Sequence, residues 1–313
     1  VSTDVVSQCL LVMPDLELDA PMFLTPRVVI TNMDVDHIRA SLARMARRRT
    51  RFPIRNQEPF LLMPDSPASV RHVKPFIYET ATSKLLHFCI SDIQSRMRIN
   101  DPNALALEYT RTMMGFLLFK PDPRSIGMIG LGGGSLAKFC YRYLSRTRIQ
   151  VAEINPHVIA LRDEFHIPPD DARFMVFQAD GADFVHRDPS RFDVLIVDGY
   201  VLEGLPAQLS SQGFYDGCYE SLRPDGIMVV NLQHGDPESV DHLIRIRQSF
   251  NESVLVVEDG EESHNIVFAC KGNALETYRL GAIRKPPDLD PIAASQLLAG
   301  FALITSALKD QRS

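Results

Sequence analysis

From residue 125 onward, short apolar runs alternate with amphipathic ones. Residues 126–130, 148–154, 173–178, 192–198 and 227–232 read as strands. The stretches 135–145, 156–165, 181–187, 211–222 and 237–250 read as helices. Val194-Leu195-Ile196-Val197 is apolar at four consecutive positions, which is expected of a strand whose sheet is covered by helices on both faces. Val254 to Val257 and Asn265 to Cys270, separated by a polar stretch, read as a closing β hairpin. The fold class is therefore α/β: a doubly wound, mostly parallel sheet that ends in a hairpin. Ahead of it, Phe76–Glu79, Lys84–Phe88 and Ile90–Met97 read as a small antiparallel β domain. Residues 101–119 read as a connecting helix, with Asp101 as cap, Pro102 in the first turn and Pro121-Asp122-Pro123 as the stop. Ile292 to Leu308, after Pro286-Pro287, reads as a final helix. The implied division is an extension over 1–58, a small β domain with its helix over 59–122, an α/β domain over 123–275 and a helical tail over 276–313.

Composition narrows the class. With 313 residues, 45% hydrophobic and 23% charged, the chain has the make-up of a soluble globular protein with room for one α/β domain and a smaller companion. A net charge of −6 argues against a general nucleic-acid binder. Arg39, Arg44, Arg47, Arg48, Arg49, Arg51 and Arg55 crowd one segment. They read as a solvated extension, with a nucleic-acid arm or targeting peptide as alternatives. Met45 is a candidate for the natural start. The five cysteines include no Cys-x-x-Cys pair and read as reduced thiols of a cytoplasmic protein. No apolar run approaches about 18 residues, so no membrane span is expected, and no signal peptide is visible. His157, His166, His186, His234 and His264 lack metal-ligand spacing. No metal is expected, and the histidines read as solvated or packed.

The chemistry centres on Ile126-Gly127-Met128-Ile129-Gly130-Leu131-Gly132-Gly133-Gly134-Ser135. This is a strand that breaks into a glycine turn and then a helix. Glycines permit positive φ and close approach of a ligand to the backbone. Glu153 closes the next strand, 23 residues after Gly130. That is close to the ~20-residue gap at which an acid grips a ribose. Asp180, followed by Gly181, and Asp198 end two further strands. Ligands of such sheets bind beyond the carboxyl ends of the strands, so the three acids and the glycine turn indicate one adenosine-type site.

From about Phe76 to Gly272 the chain resembles the spermidine synthase family of aminopropyltransferases. The resemblance rests on Gln94, Gly132-Gly133-Gly134, Glu153 in VAEINPHVI, Asp180-Gly181 in QADGADF, the run FDVLIVDG, and FYDGCYESLRPDGIMVVNL. It implies a class I methyltransferase-like Rossmann variant. It also implies that Glu153 holds ribose, Asp180 holds adenine, Asp198 is the catalytic acid/base and Gln94 faces the cofactor. The co-substrate would be decarboxylated S-adenosylmethionine, with ordinary S-adenosylmethionine as the alternative. The acceptor would be a small amine or other nucleophile, and the family's homodimer is an expectation. Three departures touch the acceptor side: Val201 stands where the family has a second aspartate, Cys89-Ile90-Ser91 replaces Leu-Asp-Gly, and Thr110-Arg111-Thr112 stands where Tyr-His-Glu is expected, with Glu108 and Tyr109 offset. Tyr200 is read as a hydrogen-bonding helper, Glu203 as a substitute for the missing aspartate, and Arg111 as a candidate partner for a methionine carboxylate. The alternatives to aminopropyl transfer are methyl transfer, a nicotinamide-dependent oxidoreductase reading from Gly130-x-Gly132-x-x-Ser135, and a non-catalytic nucleoside-binding relative.

Overall fold

The computed structural model describes residues 72–89, 92–199, 205–233, 238–258, 264–280 and 289–312. The arginine-rich extension, Tyr200, Val201, Glu203 and His234 lie outside the described residues.

The described residues open with an antiparallel sheet of β1 (Phe76–Glu79), β2 (Ser83–Cys89) and β3 (Asp92–Arg98), in that order. A short helix, α1 (Glu108–Met113), continues as a 3-10 turn over Met114–Leu118. The large sheet then forms from β4 (Ser125–Ile129), β5 (Arg148–Glu153), β6 (Phe174–Gln178), β7 (Phe192–Val197), β8 (Leu222–Gln233), β9 (Val254–Glu258) and β10 (His264–Lys271). Its order is β6-β5-β4-β7-β8-β10-β9. The pairings from β6 to β8 are parallel, while β10 runs antiparallel to both β8 and β9. The order reverses between β5 and β7, on either side of β4, which places the topological switch beside the glycine turn.

The helices between these strands are α2 (Ser135–Tyr143), α3 (Pro156–Ile159), α4 (Gly181–Val185), α5 (Gln212–Ser221) and α6 (Ser239–Ser249). After the sheet come α7 (Ala274–Thr277) and α8 (Pro291–Arg312). Alternation along each central strand feeds two cores. Ile126, Met128, Val194, Ile196, Ile227 and Val229 face one of them, together with Phe139, Phe268 and Phe301. Ile129, Leu195, Val197, Met228 and Val230 face the other, with Phe184, Phe214 and Tyr215. Each such side chain contributes about 1.5–3 kcal/mol on burial, so the apolar runs dictate a sheet sandwiched between helices.

Two expectations are corrected, and the final helix meets a third as a packed core element. The helix over 101–119 forms only from Glu108, because Gln296 Oε1 accepts the Leu105 N–H at 2.9 Å and Leu107 is extended. The helix over 156–165 stops at Ile159 after a start capped by Asn155, whose side chain accepts the His157 N–H. Beyond it the chain turns through His166, at φ 54°, and delivers Phe165 and Ile167 against Gly133 and Gly134. The buried Lys138 fixes this turn by donating from Nζ to the Phe165 carbonyl at 2.7 Å. Finally, α8 is long and apolar enough, by length and composition, to cross a membrane. It packs on the core through Ala293, Leu297, Phe301, Ile304 and Leu308. Gly300 lets it approach α1: a Cβ there would lie 3.0 Å from the Thr112 Cα.

Candidate active site

The carboxyl ends of β4, β5, β6 and β7 open onto a cavity of about 710 Å³, closed on another side by β2, β3 and α1. Glu153, Asp180 and Asp198 all line it, as do Gly130, Gly132, Gly181 and Gln94. The arrangement is what the strand-end acids imply when their strands are neighbours in the sheet.

Gly130 adopts φ 93°, and a Cβ on it would stand 2.1 Å from the Asp198 carbonyl oxygen. Both conformation and space therefore demand glycine where β4 and β7 separate. Gly132 and Gly134 also adopt positive φ. Gly133 and Gly134 are not among the lining residues, and their missing Cβ atoms would meet Ser95 Oγ at 2.6 Å and Ile167 Cγ1 at 2.5 Å. These two glycines let the small sheet and the Phe165 turn close on the loop.

Glu153 is buried at 8% exposure. Its Oε2 accepts the Leu131 N–H at 2.9 Å and its Oε1 the Asn155 N–H at 2.8 Å. Burial raises its pKa above the ordinary carboxylate value, and these backbone donors pull it partly back. The acid thus pins the glycine loop through the backbone N–H groups of Leu131, Gly132, Ile154 and Asn155. Asp180 caps α4 through Oδ1, which accepts the Ala182 N–H at 2.8 Å. Oδ2 takes no part in this cap.

Asp198 sits at the centre of a hydrogen-bonded chain. Asn231, near the end of β8, donates from Nδ2 to Asp198 Oδ1 at 2.9 Å. The Tyr109 hydroxyl donates to Oδ2 at 3.2 Å. His264, the first residue of β10, lies 2.9 Å through Nδ1 from Asn231 Oδ1. A carboxylate only accepts, so the amide NH₂ of Asn231 must face Asp198, and its oxygen is then left for a proton on His264 Nδ1. The Tyr109 ring stacks on the His264 ring with centroids 4.5 Å apart. Burial raises the Asp198 pKa, whereas the Asn231 bond, the His264 imidazole and the Tyr109 bond lower it.

Sequence reasoning misjudged two of these groups and missed a third. Tyr109, read as offset, reaches Asp198 directly. His264, read as solvated or packed, lines the cavity. Asn231 carried a legible signal, as one polar residue in the apolar run Ile227–Leu232. Arg111 is not a cavity residue: its Nε donates to the Leu105 carbonyl at 2.9 Å.

A doubly wound transferase-type sheet, finished by a hairpin and carrying acids at three strand ends, is the class that these features define. Residues 106–257 match the family model described as spermine/spermidine synthase domain. A polyamine aminopropyltransferase of Chromobacterium violaceum is 35% identical over 213 residues, covering 68% of this chain and 81% of that protein. One from Neisseria meningitidis is 37% identical over 193 residues, covering 61% and 73%. Among solved structures, a probable spermidine synthase from Corynebacterium glutamicum superposes with TM-score 0.59 at 19% identity, covering 76% of this chain and 90% of that one. A spermidine synthase in complex with the transition state analogue AdoDATO gives 0.53 at 18%, covering 75% and 88%. The chain belongs to the spermine/spermidine synthase family.

Proposed function

We propose that the protein transfers an aminopropyl group from decarboxylated S-adenosylmethionine to an amine, with Asp198 as the base. One observation carries this reading. The described residues that line the cavity include four carboxylates, Glu108, Glu153, Asp180 and Asp198, and no lysine or arginine. Such a wall suits two cationic partners: a donor with a sulfonium and an ammonium, and an amine acceptor. Among the described lining residues it gives a methionine carboxylate no lysine or arginine to pair with, and Arg111 donates instead to the Leu105 carbonyl. The names of the relatives point the same way.

In this reading Glu153 and Gly132 hold the ribose side of the donor, and Asp180 and Gly181 the adenine side. Gln94 faces the donor from β3. An amine with a pKa of about 10 arrives protonated and cannot attack in that form. Asp198, whose pKa burial raises, takes the proton. The freed nitrogen forms a bond to the carbon next to the sulfonium, that carbon's bond to sulfur breaks, and sulfur keeps the electron pair as a neutral thioether. Tyr109 and Asn231 hold both oxygens of Asp198 in place, so the base needs no reorganisation. Glu108, exposed at the cavity edge, provides a second anionic anchor for the far end of the acceptor. Tyr200 and Glu203 keep the helper roles given to them above.

The test is calorimetry with decarboxylated and ordinary S-adenosylmethionine side by side. The decarboxylated donor should bind at least tenfold more tightly, and aminopropylated product should appear with a diamine. Preference for the carboxylated donor, with methylated product, would replace this function with methyl transfer.

A further inference from the structure

A second charged hollow lies at the opposite edge of the large sheet. Each of four parallel strands has an arginine at its amino-terminal end. Arg124 precedes β4, Arg148 opens β5, Arg173 precedes β6 and Arg223 is the second residue of β8. These four and Arg146 line a hollow of about 320 Å³, whose other lining residues are Ser125 and Ala172. No carboxylate is among its lining residues. In a chain of net charge −6 this is a local reversal of sign.

The acids at its margin are already shared. Asp122 is divided between Arg124 at 3.0 Å and Arg146 at 3.2 Å. Asp193 Oδ2 accepts the backbone N–H groups of Arg124 and Ser125 at 2.7 and 3.0 Å, with Arg223 at 3.4 Å. Asp171 accepts from the Tyr141 hydroxyl at 2.7 Å and from the Arg173 N–H at 2.8 Å. Arg173 itself is fixed in place. Its guanidinium donates to the carbonyls of Tyr141, Leu144 and Thr147 and lies 4.2 Å over the Tyr141 ring. Neutral carbonyls orient that cation without cancelling its charge. Around it, Arg124, Arg146 and Arg223 keep about half of their side-chain surface exposed, at 57, 52 and 44%.

We propose that this hollow binds an oligophosphate, meaning two or more linked phosphate groups. Guanidinium forks match phosphate oxygens two by two, and several converging forks favour a multiply charged chain over a single anion. The volume is at the lower end of what ligand sites occupy, which fits a compact phosphate chain. Five or six residues of strand separate this edge from the Asp198 edge, roughly 20 Å at 3.3 Å per residue. The ligand is therefore not the adenosine donor.

The experiment is calorimetry of the intact protein at low salt with sodium tripolyphosphate, ATP, AMP and sulfate. It is repeated on the double variant Arg146→Gln/Arg148→Gln, which leaves Asp198 and its partners untouched. Only heat lost in that variant is assigned to this hollow. Tripolyphosphate should bind the native protein at least tenfold more tightly than sulfate or AMP, and the variant should lose at least tenfold. Equal affinity for ATP and tripolyphosphate would identify the phosphate chain alone as the determinant. Tighter ATP binding, also lost in the variant, would identify a nucleotide tail as its source. Equal binding of sulfate, an unchanged variant, or binding of a single-stranded oligonucleotide without tripolyphosphate would each overturn the proposal.

Discussion

Replacing Asn231 with Leu removes the strongest hold on Asp198 while keeping a side chain of similar size. Asn231 is 4% exposed and donates to Asp198 Oδ1 at 2.9 Å. The Tyr109 bond at 3.2 Å remains. A hydrogen bond to a charged partner is worth ~1.5–3 kcal/mol. Here that energy favours the ionised carboxylate, which is the form proposed to take the amine proton. Its loss adds to the upward push that burial already exerts on Asp198. At about 1.4 kcal/mol per tenfold, kcat/KM on its acidic limb should fall ~10–150-fold. The sign on pH is equally definite. A base with a raised pKa ionises later, so the acidic limb of kcat/KM should move to higher pH, and activity should partly recover in alkaline buffer. The assay is initial-rate formation of the aminopropylated amine across pH, with circular dichroism confirming the fold. His264→Phe, which keeps a ring beside Tyr109 but drops the bond to Asn231, should show a smaller displacement in the same direction. A folded Asn231→Leu protein whose acidic limb coincides with that of the parent would refute the role given to this chain of bonds.

Three other perturbations probe neighbouring parts of the argument. Asp198→Asn should lower turnover by roughly 100-fold or more. It should also raise the melting temperature at pH 8, because a carboxylate with a folded pKa above its unfolded value loses stability as pH rises through the folded value; an unchanged rate would remove its assignment as base. Burial lowers the Lys138 pKa to about 8 from 10.5, so its contribution to stability is present above 10.5 and lost as pH falls toward 8. Relative to the parent, Lys138→Met should therefore lose up to ~3 kcal/mol between pH 7 and pH 10.5 at 1.36 kcal/mol per unit, read by urea melts, on top of a pH-independent cost of about 1–3 kcal/mol for the Phe165 carbonyl left unpaired. Gly300→Leu must push α8 off Thr112, an overpacking cost of about 1–3 kcal/mol. Because α1 carries Tyr109, kcat should fall more than KM changes, and a variant with parental kcat would mean that α8 does not set the position of Tyr109.

What the sequence disclosed and what it hid follow from how each element is held. The central strands were legible because every side chain along them, as in Val194-Leu195-Ile196-Val197, is committed to one of two cores. Their ends were legible too, since an acid after an apolar run marks the sheet edge. That put Glu153, Asp180 and Asp198 around one cavity before any contact was known. Helix lengths were less legible. The segments 101–107 and 160–167 have helical composition, yet Gln296 from α8 and Lys138 from α2 take the Leu105 N–H and the Phe165 carbonyl. Those partners lie 191 and 27 residues away, beyond any local periodicity. The same reason hid the surroundings of Asp198. Tyr109, Asn231 and His264 come from α1, β8 and β10, and only the antiparallel return of β10 along β8 sets His264 diagonal to Asn231 on one face. An isolated tyrosine, asparagine or histidine carries no spacing rule to announce this. One wall of the cavity is built from strand ends that sequence periodicity reports, whereas the surroundings of Asp198 are built from side chains that meet only through topology, which is why the first was readable here and the second had to be seen.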